Sequence, residues 1–220
     1  MTSPRQFDLI AFDWDGTLFD STALIARCIQ DACADVGTTV PTDDQANYVI
    51  GLGLSDALQH AAPDLPRARY PELATRYRHH YFAQQHRIVL FKGTLAMLQD
   101  LKEAGHRLAV ATGKSRRGLD EALNTAELHG LFDATRTADQ TASKPDPRML
   151  IELMDELGVA PERTLMVGDT THDLQLAANA GTASVAVSFG AHHVEALNGF
   201  ETRHVAHSTA DLHGWLRRHG

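Results

Sequence analysis

The sequence predicts an α/β protein in which a core of parallel strands and alternating helices is interrupted, after its first strand, by an all-helical insertion. From Gly93 onward, short apolar strand patterns alternate with helical ones, the signature of βαβ units and a parallel sheet. Before that point, residues from about Val40 to about Arg87 stay helical in character, with no convincing strand. The whole insertion spans roughly 65–70 residues, too long for an ordinary loop, and reads as a separate lobe. A third observation is chemical. Several strands are apolar and then end abruptly in polar residues, at Asp13, at Thr112-Gly113 and at Gly168-Asp169.

Taken in order, Phe7–Phe12 is a short apolar run suited to a strand buried on both faces. Thr22–Val36 is an amphipathic helix, with Leu24, Ile25, Cys28, Ile29, Ala32, Cys33 and Val36 repeating at three and four. Asp20 or Ser21 is placed to cap its start and Gly37 to stop it. Further helices are predicted over Thr42–Tyr48, Leu54–Ala61 and Pro71–Gln85, punctuated by Gly51, Gly53, Pro63 and Pro66. The alternating region then gives helices over Thr94–Ala104, Ser115–Glu127, Pro147–Leu157 and Thr171–Ala180. Its strands are Leu108–Ala111, a weaker Ala134–Thr137, Leu165–Val167 and Ser184–Val187. Thr209–Arg218 is a last helical pattern.

The totals exclude several classes of function. The chain has 220 residues, enough for one large core plus a smaller lobe. With 20 Lys+Arg against 28 Asp+Glu its formal charge is −8, which argues against bulk binding to nucleic acid or to anionic membranes. Any anion site must therefore be built locally. No apolar stretch approaches the ~20 residues of a membrane span, and Met1 to Phe7 is short and polar, without a signal-peptide core. The expected location is cytoplasmic. The two cysteines, Cys28 and Cys33, fall on one helical pattern, read as reduced packing residues. The histidines, including His79-His80, His192-His193, His204 and His207, do not show zinc-site spacing and read as surface or packing groups.

The chemistry sits at the strand ends. In Asp13-Trp14-Asp15-Gly16-Thr17-Leu18, side chains alternate, so Asp13 and Asp15 project to one side while Trp14 points away. Two like charges so close repel, and a cation beside them relieves the repulsion. One carboxylate is then available to attack and the other to move protons. An Asp-Gly turn alone explains Asp15-Gly16 but not Asp13. Asp169 and Asp173 lie four apart, one leaving a strand and the other in the first turn of the next helix, where helix capping competes as an explanation. In open parallel sheets ligands bind beyond the carboxyl ends of the strands, so these residues should converge on one cleft. Four carboxylates there call for an oxygen-seeking Mg²⁺. Lys144, before Pro145, is suited to pair with a carboxylate and an incoming phosphate, although alone it reads as an exposed lysine. Thr112 and the Gly113 amide are suited to donate to phosphate oxygens. Gly113-Lys114-Ser115 mimics the end of a P-loop, but Leu108 stands where that motif needs glycine, and a P-loop is rejected.

Together these residues resemble the haloacid dehalogenase superfamily, whose pattern is DxDGT, a strand-end Ser/Thr, a Lys often followed by Pro, and GDxxxD. Here those are Asp13-Trp14-Asp15-Gly16-Thr17, Thr112, Lys144-Pro145 and Gly168 through Asp173, all in order, within a match from about Phe7 to about Gly190. The chain is most similar to phosphoglycolate phosphatase-like members, through Gly51-Leu52-Gly53-Leu54 and Phe91-Lys92-Gly93. The resemblance implies a Rossmann-like core, residues 1–17 and 90–220, with a helical cap, residues 18–89. It implies Asp13 as nucleophile, Asp15 as acid and base, and Thr112, Lys144, Gly16 and Gly113 around the phosphoryl group. It also implies Mg²⁺ held by Asp13, the Asp15 carbonyl and Asp169, with Asp173 supporting the site directly or through water. The expected partner is a small phosphorylated metabolite.

Rival readings stay open to different degrees. A dehalogenase needs neither Mg²⁺ nor Asp15. A phosphonate hydrolase needs a cap lysine, and Gly16–Arg87 contains none. A phosphomutase shares all four motifs, and a non-catalytic module shares the fold. Cap residues expected to meet the substrate are Gly51–Leu54, Arg76, Tyr77 and His80, each equally suited to a structural role.

Overall fold

The computed structural model describes residues 5–125 and 127–220. The polar start of the chain, Met1–Pro4, and Ala126 within the helix predicted over Ser115–Glu127 lie outside the described residues.

Six parallel strands form one sheet: β1 (Leu9–Phe12), β4 (Arg107–Thr112), β5 (Ala134–Thr137), β6 (Thr164–Gly168), β7 (Ala183–Val187) and β8 (Val205–Ala206). Their order is β5-β4-β1-β6-β7-β8. β1 lies in the middle and pairs with β4 on one side and β6 on the other, Ala11 standing opposite both Ala109 and Met166. After β1 the chain builds outward in one direction and then crosses to build in the other, which opens a crevice at the carboxyl ends of the central strands.

The pleat sorts the core residues. Ile10, Phe12, Leu108, Val110, Leu165 and Val167 face one layer, where α5 (Thr94–Glu103), α6 (Arg116–Thr125) and the terminal α10 (Thr209–His219) supply Leu98, Leu119 and Trp215. Leu9, Ala11, Ala109, Ala111 and Met166 face the other, against Leu150 and Leu153 of α7 (Arg148–Leu157) and Leu176 of α8 (Thr171–Ala180). All four β1 residues are buried, as a strand covered on both faces requires. A short helix, α9 (Val194–Leu197), leads into the edge strand β8, and neither was anticipated.

Four helices follow the first strand: α1 (Thr22–Asp35), α2 (Asp43–Tyr48), α3 (Leu54–Ala61) and α4 (Tyr70–Gln84). They close around an apolar cluster of their own that includes Ile25, Ile29, Cys33, Ile50, Leu58 and Leu73. Both cysteines are free and buried there or beside it, and burial pushes each thiol up to about 11. The predicted bounds shift by a residue at several ends. The clearest case is Thr42, which lies outside α2 because its hydroxyl and Gln45 form a capping box. A two-stranded antiparallel ribbon, β2 (Phe19–Asp20) with β3 (Val89–Leu90), joins the entry to and exit from these helices. Two-residue strands carry no periodic signal in the sequence. No helix among the described residues is long and apolar enough to cross a membrane.

Candidate active site

The strand ends converge. Asp13 follows β1, Thr112 closes β4, Gly168 closes β6 with Asp169 next, and Asp173 stands in the first turn of α8. Asp13, Asp169 and Asp173 each bring one carboxylate oxygen to within 4.8 Å of the others, all three buried. Lys144, which the sequence alone leaves as an exposed lysine, is among the most deeply buried large side chains. Its Nζ donates to Asp13 Oδ1 at 2.5 Å and to Asp173 Oδ1 at 2.6 Å.

The carboxylates are held by different means. Thr17 Oγ1 donates to Asp169 Oδ1 at 2.8 Å and the Ala191 N–H donates to Oδ2 at 2.7 Å. Gly16 and Gly190 stand so close that a Cβ on either would lie 2.2 Å from Asp169 Oδ2. Gly16, with φ 85°, gives its own N–H to the Phe19 carbonyl, so what it contributes is turn shape and space rather than a free donor. Asp173 both caps α8 and faces the cluster. Its Oδ2 accepts from the Thr170 N–H and hydroxyl, while Oδ1 takes Lys144. Capping and site chemistry, weighed as alternatives from sequence, coexist in one side chain.

Among the described residues, three buried carboxylates face one ammonium. Burial, with Asp173 and Asp169 adding repulsion, pushes the Asp13 carboxyl well above the usual range against the pull of Lys144. Burial and Asp173 push Asp169 up to about 7, opposed by the donors from Ala191 and Thr17. Asp13 Oδ2 is buried with no hydrogen-bond partner among the described residues. An unpartnered carboxylate oxygen in a charge-deficient oxygen cluster fits a hard divalent cation, so the residues present suit the metal that the family resemblance implies.

The Asp15 side chain turns away from this cluster. Ser21 Oγ donates to its Oδ1 at 2.8 Å, and Lys114 Nζ approaches its Oδ2 at 2.8 Å. Ser21 stands at the N-cap of α1 without a capping bond, because its hydroxyl serves Asp15 instead. Lys114 also donates to Tyr81 Oη on α4 at 2.9 Å.

The helical layer comes down on the strand ends through Gly51-Leu52-Gly53. A Cβ on Gly113 would lie 2.3 Å from the Leu52 carbonyl oxygen, and the Gly53 N–H donates to Ser143 Oγ at 2.8 Å. Behind α8, the Tyr48 carbonyl accepts from His172 Nε2 at 2.7 Å and His192 Nε2 at 3.0 Å. His192 Nδ1 accepts from the Thr171 N–H, so its proton is on Nε2. Burial lowers both imidazoles' proton affinity. A cavity of about 630 Å³ lies between the layers, with Asp13, Asp15, Thr112, Gly113, Leu52 and Tyr77 on its walls.

Of the predicted cap contacts, Gly51–Leu54 and Tyr77 line that cavity, while Arg76 and His80 do not. His80 instead pairs with Asp35, and Arg78, not Arg76, faces the cavity. Lys114 and Tyr81 were missed. In the sequence Lys114 stands out only as part of a P-loop-like segment, although it lies two residues beyond the strand end at Thr112. Tyr81 follows Leu73 and Tyr77 at helical spacing, which reads as packing alone.

An α/β sheet with a carboxylate cluster and a buried lysine at the ends of its central strands defines a class of phosphoryl-transfer hydrolases. The family model described as haloacid dehalogenase-like hydrolase matches residues 10–187. The chain is similar to the phosphoglycolate phosphatase of Aliivibrio fischeri, 33% identical over 199 residues, 86% of this chain and 88% of that one. It is also similar to the pyrophosphatase PpaX of Halalkalibacterium halodurans, 28% identical over 209 residues, 94% of this chain and 95% of that one. A solved structure from Haemophilus somnus, described as a predicted phosphoglycolate phosphatase, superposes with TM-score 0.85 at 26% identity, covering 96% of this chain and 98% of that one. The chain belongs to the haloacid dehalogenase-like hydrolases, and within them it is a phosphatase-type enzyme, a phosphoric monoester hydrolase.

Proposed function

We propose that this enzyme is a Mg²⁺-dependent phosphatase that hydrolyses a small phosphorylated metabolite, a phosphoglycolate-like phosphomonoester, through an aspartyl-phosphate on Asp13. The observation that carries the reading is Asp13 itself: a buried carboxylate, one oxygen on Lys144 and the other unpartnered, on the wall of a cavity of about 630 Å³. That volume suits a small metabolite rather than a polymer.

Asp13 attacks phosphorus, and the bond from phosphorus to the leaving oxygen breaks. Asp15 gives that oxygen its proton. A water, deprotonated by Asp15, then cleaves the Asp13–phosphate bond and releases orthophosphate. In this reading Thr112 and the backbone of the Gly113 loop hold phosphoryl oxygens, and Lys144 offsets their charge while keeping Asp13 in line. When bound by Asp13, Asp169 and the Asp15 carbonyl, with Asp173 in support, Mg²⁺ would supply the positive charge a carboxylate needs to approach a phosphate dianion.

The test is phosphate release from p-nitrophenyl phosphate and a panel of phosphometabolites, with Mg²⁺ and with EDTA, beside Asp13→Asn. Metal-dependent release that vanishes in the variant supports the reading, and the panel ranks the substrate class. Transfer of phosphate within a sugar phosphate, without net release, points to a mutase instead.

A further inference from the structure

Lys114 has no part in the steps above, yet it occupies the point where the helical layer, the phosphate-binding loop and Asp15 meet. We propose that Lys114 is a positioning residue that couples the seating of the helical layer over the sheet to the placing of the Asp15 carboxylate.

The geometry is that of a two-point hold. One hydrogen bond, from Ser21 Oγ to Asp15 Oδ1, fixes one oxygen and leaves the carboxylate plane free to turn. Lys114 Nζ, 3.0 Å from Oδ1 and 2.8 Å from Oδ2, spans both oxygens, supplies the second point and fixes the plane. Lysine is a flexible stem with three donors and no orientation of its own. What orients this one is α4: Tyr81 Oη accepts from Nζ at 2.9 Å, and Nζ lies 5.0 Å from the centre of the Tyr81 ring. Burial alone would lower the lysine's proton affinity, but Asp15 and Tyr81 outweigh it, so the ammonium stays charged. Lys114 is also tied to the phosphate loop, since its own N–H donates to Thr112 Oγ1 at 3.2 Å. When α4 lifts, Lys114 loses its anchor and Asp15 keeps only Ser21. The proton donor is therefore in register only while the helical layer covers the cavity, which confines leaving-group departure to the closed state.

The Lys114–Asp15 pair is mostly buried, so breaking it costs stability as well. A positioning role leaves a kinetic mark that a structural one does not. p-Nitrophenolate departs without a proton, whereas an alkoxide needs one. The ratio of kcat/KM on an alkyl phosphomonoester to that on p-nitrophenyl phosphate therefore reads Asp15 as acid. Because kcat/KM covers steps only up to leaving-group departure, the later water step does not enter. An alkyl ester with an uncharged leaving alcohol keeps direct contact between Lys114 and a substrate anion out of the comparison.

The inference rests on the proposed phosphatase reading. In the Mg²⁺-loaded protein, Lys114→Met should lower the alkyl-to-aryl ratio by ~10-fold or more, toward the 10²–10⁴ that general acids contribute. Lys114→Arg should recover part of it. Tyr81→Phe, which keeps the ring and loses only the Nζ–Oη bond, should move the ratio the same way by less. Thermal melting checks that each variant is folded. Equal losses on both substrates in Lys114→Met, or an unchanged ratio in Tyr81→Phe, overturn the coupling. Wild-type protein that releases no phosphate from either ester overturns the phosphatase reading instead, so the two failures are distinguishable.

Discussion

Gly113→Ala is the sharpest test of how the two layers meet. Gly113 is not held in the left-handed region; it is glycine because there is no room. An alanine Cβ there would lie 2.3 Å from the Leu52 carbonyl oxygen and 2.6 Å from that of Gly51, against the 3.4 Å at which ordinary contact begins. Both obstacles are backbone, so no side chain can rotate aside, and the loops must part by about 1 Å. Parting them moves the loop that carries Thr112 and Lys114, and a displacement of ~1 Å at a reacting centre costs roughly 10²-fold. The expected result is a fall of that order in kcat/KM on p-nitrophenyl phosphate. Overpacking of this kind costs about 1–3 kcal/mol, which lowers Tm by about 2–4 °C per kcal/mol in a chain of this size. Gly158→Ala is the control. It has φ 62° and nothing within 4 Å, so it takes backbone strain of about 1 kcal/mol far from the cavity and should melt lower at full activity. If Gly113→Ala keeps wild-type kcat/KM and Tm, the Gly51-Leu52 loop does not rest on the strand ends, and the closed cavity derived from it fails.

Asp13→Asn should abolish turnover, by more than about 10³-fold. Because burial already disfavours the Asp13 charge, the metal-free variant should melt no lower than wild type, which calorimetry reads. Lys144→Met removes the ammonium that donates to Asp13 and Asp173. It should cost about 3–5 kcal/mol without metal, because two buried carboxylates lose their partner, and added Mg²⁺ should return part of the lost Tm. Asp169, raised to about 7, binds its proton more tightly folded than unfolded. Its contribution to metal-free stability is therefore present below its ordinary 3.8 and is lost as pH rises toward 7. Mg²⁺ competes with that proton, so the Tm gain on adding Mg²⁺ should be large at pH 8 and shrink steadily toward pH 5.5. A gain independent of pH would refute the site. His192 runs the other way. Lowered from 6.5 by burial, it stabilises the fold above that pH and loses the contribution as pH falls, so His192→Gln should flatten the acid limb of a pH–Tm curve.

How much was legible in the sequence follows from the range of the interaction that decides each feature. β1 and its DxDGT turn were legible because an apolar run, an alternating pair of carboxylates and a glycine act within a few residues. Lys144 gives the opposite case. Its neighbours Ser143 and Pro145 say extended and exposed, and only Asp13 and Asp173, distant in sequence, make burying its ammonium tolerable. Ser21 shows a local rule losing. Position favoured a helix cap, and the hydroxyl went to a carboxylate instead. Arg78 replaces Arg76 at the cavity because helix phase on α4, invisible without a packing partner, decides which face turns inward.

The sequence by itself determined the alternation of strands and helices, the helical interruption, and the four motifs that carry the family resemblance, because periodicity and strand-end polarity are local properties of the chain. Tertiary structure alone decided that β1 lies between β4 and β6, that the Gly51-Leu52 backbone rests on Gly113, and that Tyr81 on a helix holds Lys114 against Asp15. Each of these is a contact between segments far apart along the chain, and its free energy depends on a geometry that no neighbouring residue encodes.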